Sequence, residues 1–339
     1  MARITRTTRQ RTAARPATRQ LVVCQHDGRF SSTIDPAEIS ELIRQKDQLV
    51  WVDLQGPHEP DLALLTEEFG FHPLAIEDAT RAHERPKIEI FADYYFLVFY
   101  ALRYDTEMQR IVPQQVSLFV GLNYLVCIHA EPVAAIDETI RRWQRNERDF
   151  GADVAELLYH LLDTIVDDYF PILDALIERV EDIEEQIFDR FRPEALQEIF
   201  ALKRELLMMR RFIAPERDIL NVLLRREMPI YPREMVTYFQ DVYDHTIRVT
   251  DSIDTYRDLL SSALDAFLSL QSNQLNEIVK ILTIASIILM TAALIAGIYG
   301  MNFDVMPELH WPFGYAFALG LMMLASLALI VFFKRRRWL

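Results

Sequence analysis

The stretch ILTIASIILMTAALIAGIYGMNF, residues 281–303, contains no charged residue and no histidine over twenty-three positions. At about 1.5 Å per residue, a helix of this length crosses the roughly 30 Å hydrocarbon core of a bilayer. A second uncharged run, residues 311–333, has the same length and follows after a loop of seven residues, 304–310. Because the loop is so short, the two segments are predicted to form an antiparallel transmembrane hairpin. Two buried core helices of a soluble protein are the alternative, but uncharged core segments usually run to only about 10–14 residues.

The charges beside the second run predict its orientation. Lys334 and three arginines follow it at once, and clustered basic residues next to a span stay on the cytoplasmic side. Both chain termini are therefore predicted in the cytoplasm and the short loop outside, in a multi-pass protein of the cell's inner (plasma) membrane.

The formal net charge of −14 is spread unevenly over the 339 residues. Residues 1–20 contain six arginines and no acid, which predicts a disordered tail, with an organelle transit peptide as the alternative. Twelve acidic residues lie instead between Asp153 and Asp189. An acidic body argues against a nucleic-acid partner and favours a protein that gathers or senses cations. Cys24 and Cys127 lie in apolar strand-like runs and are predicted to be reduced and buried.

Residues 21–151 alternate between strand-like and helix-like patterns, which predicts a cytoplasmic α/β or α+β domain. The predicted strands are Leu21–Gln25, Leu49–Leu54, Lys87–Phe91, Tyr94–Arg103, Gln115–Val120 and Tyr124–His129. The predicted organisation is then acidic cytoplasmic helices (152–232), a stalk helix continuing into the first span (233–303), the external loop (304–310), the second span (311–333) and a basic tail (334–339).

Long helices are predicted after residue 151 because no glycine occurs from Ala152 to Ala296 and prolines are few. The proline positions suggest helices over Asp153–Asp189, Pro193–Arg226 and Arg233–Ile298. The last would be on the order of 100 Å long.

An apolar seam on this third helix predicts partners. Its members lie three and four residues apart, as in a coiled coil: Val249, Ile253, Tyr256, Leu260, Ala263 and Phe267. The seam favours a symmetric homo-oligomer whose stalk helices line a central axis. The alternative is one amphipathic helix packed on its own domain.

Two helices cannot enclose a pore, whereas several hairpins around an axis can, with the first span facing inward. Counted back from Asn302 along one helix side, the pore-lining residues are predicted to be Ala293, Met290, Ser286, Leu282, Val279 and Asn276. A ring of neutral oxygens at Asn302 would accept hydrogen bonds from the water held by Mg²⁺, which dehydrates reluctantly. Apolar rings at Met290, Leu282 and Val279 would gate the pore by dewetting.

The outer loop adds two carboxylates, Asp304 and Glu308, beside the predicted mouth, where they would concentrate cations. Neither span contains Asp, Glu or Lys, so nothing in the spans indicates a proton relay, and the membrane potential would drive the ion. The eight histidines, His245 and His310 among them, show no paired ligand spacing. Phosphate-binding and hydrolase motifs are missing from the sequence, which argues against an enzyme.

These motifs together resemble those of the CorA family of magnesium transporters. YGMNF closes the first span, MPEL follows in the loop, and a basic tail ends the chain. Further similar strings are residues 72–78, 85–87, 115–118, 166–170 and 241–246, so the resemblance covers about residues 20–339. Val279 and Ala293 depart from the pattern of some members, which affects the local polarity of the pore.

The resemblance implies a funnel-shaped homopentameric channel with Gly300, Met301 and Asn302 as its selectivity filter. It implies passive uptake of Mg²⁺, and also of Co²⁺ or Ni²⁺. It further implies that intracellular Mg²⁺ binds between neighbouring cytoplasmic domains and closes the channel. By matching strings that regulatory role falls first to Asp78 and Asp241, then to Glu77 and Asp163.

Two other functions remain open at this point. One is a zinc transporter with the same architecture. The other is a membrane-anchored cytoplasmic metal sensor or scaffold, whose hairpin would only tether it and would not need Asn302.

Overall fold

A computed structural model describes residues 18–24, 30–31, 39–81, 85–105, 107–108, 110–145, 153–189, 194–225, 234–301, 306–336 and 338. The chain forms two compact units. The first comprises Met1–Phe188 with Arg192–Ser261, and the second Asp189–Phe191 with Ser262–Leu339, as far as these ranges are described. Of the predicted N-terminal tail, residues 1–17 lie outside the description. Its last three residues belong to a strand, so the prediction of disorder was wrong for them.

The first unit contains a seven-stranded sheet in the order β2-β1-β3-β7-β6-β5-β4. Its strands are β1 (Thr18–Cys24), β2 (Phe30–Ser31), β3 (Leu49–Gln55), β4 (Lys87–Ile90), β5 (Tyr95–Asp105), β6 (Arg110–Val120) and β7 (Tyr124–His129). Strands β3 and β7 pair in parallel, and the other described pairs are antiparallel. The mixed sheet and its helices confirm the predicted α+β class.

Apolar residues of the central strands form layers on both faces of the sheet. On one face Val52 and Val126 belong to a buried cluster with Phe71. On the other face the Trp51 and Trp143 rings lie 5.9 Å apart. All six residues of β7 are buried, which explains its continuous apolar run. Cys127 in this strand is free and buried as predicted, whereas nothing is described of the Cys24 side chain.

Nine helices are described: α1 (Ile39–Arg44), α2 (Glu59–Glu67), α3 (Pro73–Thr80), α4 (Ala134–Gln144), α5 (Val154–Asp167), α6 (Tyr169–Asp189), α7 (Ala195–Arg225), α8 (Met235–Tyr299) and α9 (Gly314–Arg335). A 3₁₀ turn, Pro307–His310, precedes α9. Strand β2 and helix α4 were not predicted.

The single helix predicted over 153–189 is divided into α5 and α6 at Asp168. Asp168 still has helical angles, φ −64° and ψ −14°, and its N–H contacts the carbonyls of Thr164 and Val166. Pro171 has no N–H to offer the carbonyl four residues earlier, but it fits the first turn of a new helix. The break therefore follows from Pro171, which the sequence analysis placed inside one helix.

Helix α8 is continuous over 65 residues, which confirms the long helix predicted from the lack of breakers. Its apolar seam, however, is internal. Val249, Ile253 and Leu260 are fully buried within the single chain. Arg210 of α7 donates from Nε to Asp254 of α8 at 2.7 Å, in the same stretch of the helix. The seam therefore packs within its own domain, as the alternative had it, and is no evidence for an oligomer.

Two buried glutamates of α7 hold the strands β5 and β6. The N–H of Tyr100 donates to Glu216 Oε1 at 2.8 Å, and the N–H of Ile111 donates to Glu205 Oε2 at 2.8 Å. Strand β5 pairs with β4 only as far as Val98, and β6 pairs with β7 only from Ser117 onward. Both N–H groups thus lie on strand edges that lack a described neighbour. The carboxylates supply the acceptors that a further strand would otherwise provide.

Glu216 is completely buried beside Tyr169, whose hydroxyl contacts both Glu216 Oε2 at 2.8 Å and the carbonyl of Tyr100. One hydroxyl proton cannot serve two acceptors. All three contacts are satisfied when Glu216 is protonated, because its O–H then donates to Tyr169, whose own proton goes to the Tyr100 carbonyl. Burial raises the pKa of Glu216 well above its usual range, although hydrogen bonds with Tyr169 and Tyr100 oppose the shift. The group is held as a neutral acid.

We expect Glu216→Gln to remain stable and to remove a pH dependence. The wild-type folded state holds the Glu216 proton more tightly than the unfolded state. Its stabilisation is complete below the ordinary pKa of about 4.3 and is lost as the pH rises towards the raised pKa, by up to about 1.4 kcal/mol per pH unit. Glutamine mimics the neutral acid and does not titrate. The measurement is the unfolding of the purified full-length chain in detergent and EDTA from pH 5 to 9.

The matched variant Glu216→Ala leaves the Tyr100 N–H without an acceptor and should be about 2–3 kcal/mol less stable than Glu216→Gln at every pH, since neither side chain titrates. Equal pH slopes for wild type and Glu216→Gln would contradict the neutral-acid assignment.

Candidate ion pathway and cation site

The predicted pore-lining residues share one uncovered side of α8. The apolar members among them are largely exposed: Val279 60%, Leu282 66% and Met290 70%. Asn276, Ser286 and Ala293 are exposed as well. The side through Ile284, which is 5% exposed, is the covered one, and Leu282 lies about 200° from it around the helix. The chain therefore leaves the predicted pore side free.

The hydroxyl groups on this part of α8 bond to the helix itself. Ser286 Oγ donates to the carbonyl of Leu282 at 2.8 Å, and Thr283 Oγ1 donates to that of Val279 at 2.7 Å. This bonding satisfies the hydroxyl protons in an apolar setting. The remaining lone pair of the exposed Ser286 can accept a hydrogen bond from water.

Helix α8 ends at the predicted filter in a tightened turn. The N–H of Gly300 donates to the carbonyls of Ala296 (3.0 Å) and Gly297 (3.2 Å), and that of Met301 to Ile298 at 3.3 Å. Gly300 does not form a left-handed cap, because among the described glycines only Gly56 and Gly70 have positive φ. Gly300 instead allows close approach, since a Cβ there would lie 3.3 Å from the Ala296 carbonyl.

The outer mouth is described in part. Met301 is half exposed. Asn302 and Asp304 lie outside the described residues, so their predicted roles remain predictions. Glu308 lies in the 3₁₀ turn, and its carbonyl accepts from the Trp311 N–H at 3.3 Å. Gly314 is required there because a Cβ at that position would lie 2.1 Å from the same carbonyl.

A second candidate site lies in the first unit, where α5 and α8 bring a cation-binding group together. Asp163, Asp167 and His245 each offer one ligand atom, and these atoms all lie within 4.8 Å of one another. Asp163 and Asp167 are four residues apart on α5, so both face α8. His245 Nδ1 lies 3.5 Å from Asp167 Oδ1 and Nε2 lies 3.9 Å from Asp241 Oδ1.

The electrostatics of this group favour a bound cation. Burial raises the pKa of Asp163 to about 6, and the negative charges of Asp167 and Asp241 add to the shift, while His245 opposes it. The same environment raises the pKa of Tyr159, one turn earlier, to about 12, mainly through burial. His245 Nδ1 is buried without a hydrogen-bond partner. Two carboxylates and an unsatisfied imidazole nitrogen form a ligand set that suits Co²⁺, and the carboxylates also suit Mg²⁺.

Asp163 and Asp241 were predicted as regulatory residues, whereas Asp167 and His245 were missed. The sequence feature that could have identified them is the i,i+4 spacing of Asp163 with Asp167 and of Asp241 with His245. Each pair puts two ligands on one helix face, but only the packing of α5 on α8 shows that the two faces meet.

Glu77 and Asp78, the other predicted regulatory residues, lie on α3 outside this group. Asp78 Oδ2 accepts from Lys87 Nζ at 2.6 Å, and Glu77 pairs with Arg81. Burial lowers the pKa of Lys87, but hydrogen bonds with Asp78 and Glu89 outweigh it, so the pKa is raised. Within one chain these two carboxylates are already neutralised by basic partners, and their metal role stays a prediction about neighbouring subunits.

Comparison with known proteins gives consistent matches. The sequence profile of the family described as "CorA-like Mg2+ transporter protein" matches residues 46–335. The cobalt/magnesium transport protein CorA of Thermotoga maritima is 40% identical over 294 residues, which are 85% of this chain and 83% of that protein. The structure of the CorA magnesium transporter from Methanocaldococcus jannaschii superposes with a TM-score of 0.80 at 26% identity, covering 94% and 98% of the two chains.

The cytoplasmic domain of ZntB from Vibrio parahaemolyticus also superposes, with a TM-score of 0.60 over 75% of this chain and 98% of that one. At 14% identity it shares the fold alone.

We expect Asp167→Asn to weaken Co²⁺ binding at the Asp163–Asp167–His245 group by at least tenfold, about 1.4 kcal/mol, because it removes one of three ligands. The measurement is calorimetric titration of the purified full-length protein with Co²⁺. The matched control is Asp218→Asn on α7, whose carboxylate is 70% exposed and lies outside the group. Unchanged binding by Asp167→Asn, with the control also unchanged, would show that no metal uses this group.

Proposed function

The chain belongs to the family of CorA-like Mg²⁺ transporters, and we propose on that basis that it carries Mg²⁺, and also Co²⁺ or Ni²⁺, across a membrane. The observation that carries the proposal in the structure is the side of α8 through Val279, Leu282 and Met290. It is apolar, largely exposed, and lies opposite the covered side. Such a surface fits a membrane helix whose free side meets other copies around an axis.

The proposed active form is a homopentamer, funnel-shaped, in the cell's inner membrane, with both termini in the cytoplasm. Only 6% of the most apolar eighteen-residue window of α8, and 11% of that of α9, is buried within the chain. The core helices of a soluble protein would be mostly buried. The exposed apolar surface of these two helices is suited to contact with lipid and with neighbouring subunits.

Selection is proposed to act on the hydrated ion. Rings of Asn302 amide oxygens, with the backbone of Gly300 and Met301, would accept hydrogen bonds from the ion's first-shell water, which Mg²⁺ gives up reluctantly. Asp304 and Glu308 would raise the cation concentration at the mouth. Asn276, Ser286 and Ala293 would also line the water-filled pathway. The apolar rings at Val279, Leu282 and Met290 would gate it by dewetting. The membrane potential would supply about 4.6 kcal/mol per 100 mV for a divalent cation.

Closure is proposed to follow from intracellular Mg²⁺ at the acidic groups of the cytoplasmic unit. The Asp163–Asp167–His245 group with Asp241, and Glu77 with Asp78 on α3, would bind the ion and hold neighbouring subunits together. Losing the ion would leave like charges unscreened and favour separation. This is a two-state element biased by differential ion binding.

The zinc-transporter alternative is supported by a likeness of fold alone, so magnesium is preferred. A membrane-anchored sensor or scaffold would have no use for the amide ring at Asn302.

We expect Asn302→Ala to abolish Mg²⁺ uptake into proteoliposomes while leaving assembly intact, because it removes the oxygen that holds the hydrated ion. The control is Gln274→Ala, which removes an exposed amide about 200° around α8 from Asn276. Its flux should match wild type. Normal flux through Asn302→Ala would reject the filter and favour the scaffold.

We expect Asp241→Lys to abolish the protection that Mg²⁺ gives the full-length protein against protease. The added ammonium would lie beside Asp163 and His245 and oppose a divalent cation. The control Asp258→Lys reverses a charge on the same helix that is 77% exposed and outside the group. If unmutated protein is digested equally with and without Mg²⁺, closure by intracellular Mg²⁺ is wrong.

A further inference from the structure

A cavity of about 910 Å³ opens in the first unit at the carboxyl ends of β3 and β7. These two strands form the parallel pair of the described sheet, and Gln55 lies beside His129 where they end. Residues that follow each strand, Gly56 and Ala130 among them, line the cavity. In sheets with parallel strands, ligands bind outside the carboxyl ends. The volume falls within the range of small-molecule sites, about 300–1,000 Å³.

The turn after β3 is built to keep this space open. Gly56 has φ +59°, in the left-handed region that favours glycine, and its N–H donates to the His129 carbonyl at 2.7 Å. This bond ties the ends of the two parallel strands together. His129 is fixed from both sides, with Nε2 3.0 Å from Asp53 Oδ1 and Nδ1 2.6 Å from the Glu131 carbonyl. These contacts of Gly56 and His129 fix the part of the cavity lining that lies at the ends of β3 and β7.

The lining is basic, although the whole chain carries a net charge of −14. Arg81 directly follows α3, Arg110 lies on β6 and Arg211 on α7, and all three line the cavity, whose acidic lining residue is Glu131. Arg81 is already paired with Glu77. Asp105 lies opposite Arg110 across the β5–β6 pair, and its charge interacts with that guanidinium. Among the described residues, no acidic side chain forms an ion pair with Arg211. Three guanidinium groups from separate elements offer planar forks that match phosphate or carboxylate oxygens.

One wall of the cavity is aromatic. The Tyr100 and Phe212 rings lie 4.3 Å apart, tilted by 34°, and the Arg211 guanidinium lies 5.8 Å from the Phe212 centroid. Met208, one turn before Phe212 on α7, extends this apolar wall. An inorganic anion would make no contact with the aromatic wall, and a neutral apolar ligand would cover the guanidinium groups without pairing them. A ligand that fits the cavity must therefore carry both an anionic group and an apolar body.

We propose that this cavity binds a phosphorylated organic anion with a flat apolar body, of the class of nucleoside triphosphates. The phosphates would meet Arg110 and Arg211, with Arg81 free to join them if it leaves Glu77. The base would lie on the Tyr100–Phe212 wall. The cavity lining includes none of the predicted pore residues and no member of the Asp163–Asp167–His245 group, so the site is independent of the transport proposal.

The test is equilibrium dialysis of purified full-length protein in detergent, with EDTA and about 0.15 M salt, against ATP, adenosine or pyrophosphate. EDTA removes divalent cations, so chelation by ATP at the proposed metal sites cannot imitate binding. We expect saturable binding of ATP, with adenosine and pyrophosphate each at least tenfold weaker. Pyrophosphate as tight as ATP, or no saturable binding of ATP, would overturn the proposal.

The decisive variant is the double substitution Arg110→Gln with Arg211→Gln, which should weaken ATP binding at least tenfold. The side chains of Arg110 and Arg211 are both exposed. If the double variant does not fold, each single variant can be measured instead, and each should weaken ATP binding about threefold. The matched control is Arg217→Gln on the same helix, which pairs with Asp218 and does not line the cavity. Equal loss in the control, or no loss in the double variant, would reject the site.

Discussion

The structure depends on the requirement that one unbroken helix, α8, must satisfy two different surroundings. In its first half, buried side chains such as Val249 and Ile253 pack within the cytoplasmic unit. In its second half, Leu282, Leu289, Met290 and Leu294 are each about two thirds exposed. Full burial of a large aliphatic side chain gains roughly 1.5–3 kcal/mol, so the two thirds left exposed on these four forgo about 4–8 kcal/mol. That is comparable to the whole stability of an ordinary domain. The second half is therefore suited to an apolar environment outside its own chain.

The same helix also forms one wall of the cation-binding group, to which it contributes His245. Two like charges at the 4.8 Å limit of this group repel by roughly 3–4 kcal/mol at an effective dielectric of 20. Asp167 is more than half exposed, so solvent reduces this figure. The pKa of Asp163, raised to about 6, is an independent sign of the same repulsion and burial. At neutral pH the chain holds these carboxylates together at a cost that a divalent cation would offset. Helix α8 is continuous from His245 of this group to the predicted pore residues, and the proposed closure by a bound ion would act through it.

The sequence predicted most elements whose cause is local. The lack of glycine and proline after residue 234 predicted α8, and the apolar run before His129 predicted β7. The prediction failed where the cause is tertiary or ambiguous. Pro171 is compatible with a kinked helix interior and with the first turn of a new helix, so the break at Asp168 was missed. Strand β6 begins at Arg110, five residues before the predicted start at Gln115, and the added part contains Pro113. Beside a strand edge that β7 leaves open, that proline is tolerated. The seam of α8 shows the same limit, since a heptad-like pattern does not say whether its partner is another copy or the same chain.

The cation group and the basic cavity were hidden for a shared reason: each is made by side chains from elements far apart in sequence. Asp163 and His245 are separated by 82 positions, and the three cavity arginines come from the end of α3, from β6 and from α7. In a chain with a net charge of −14, a surface without a specific function is expected to be mainly acidic. Three arginines on one cavity, set against an aromatic wall, run against that background even though Arg81 pairs with Glu77. Positive charge gathered against the average of the chain favours an anionic ligand at this surface.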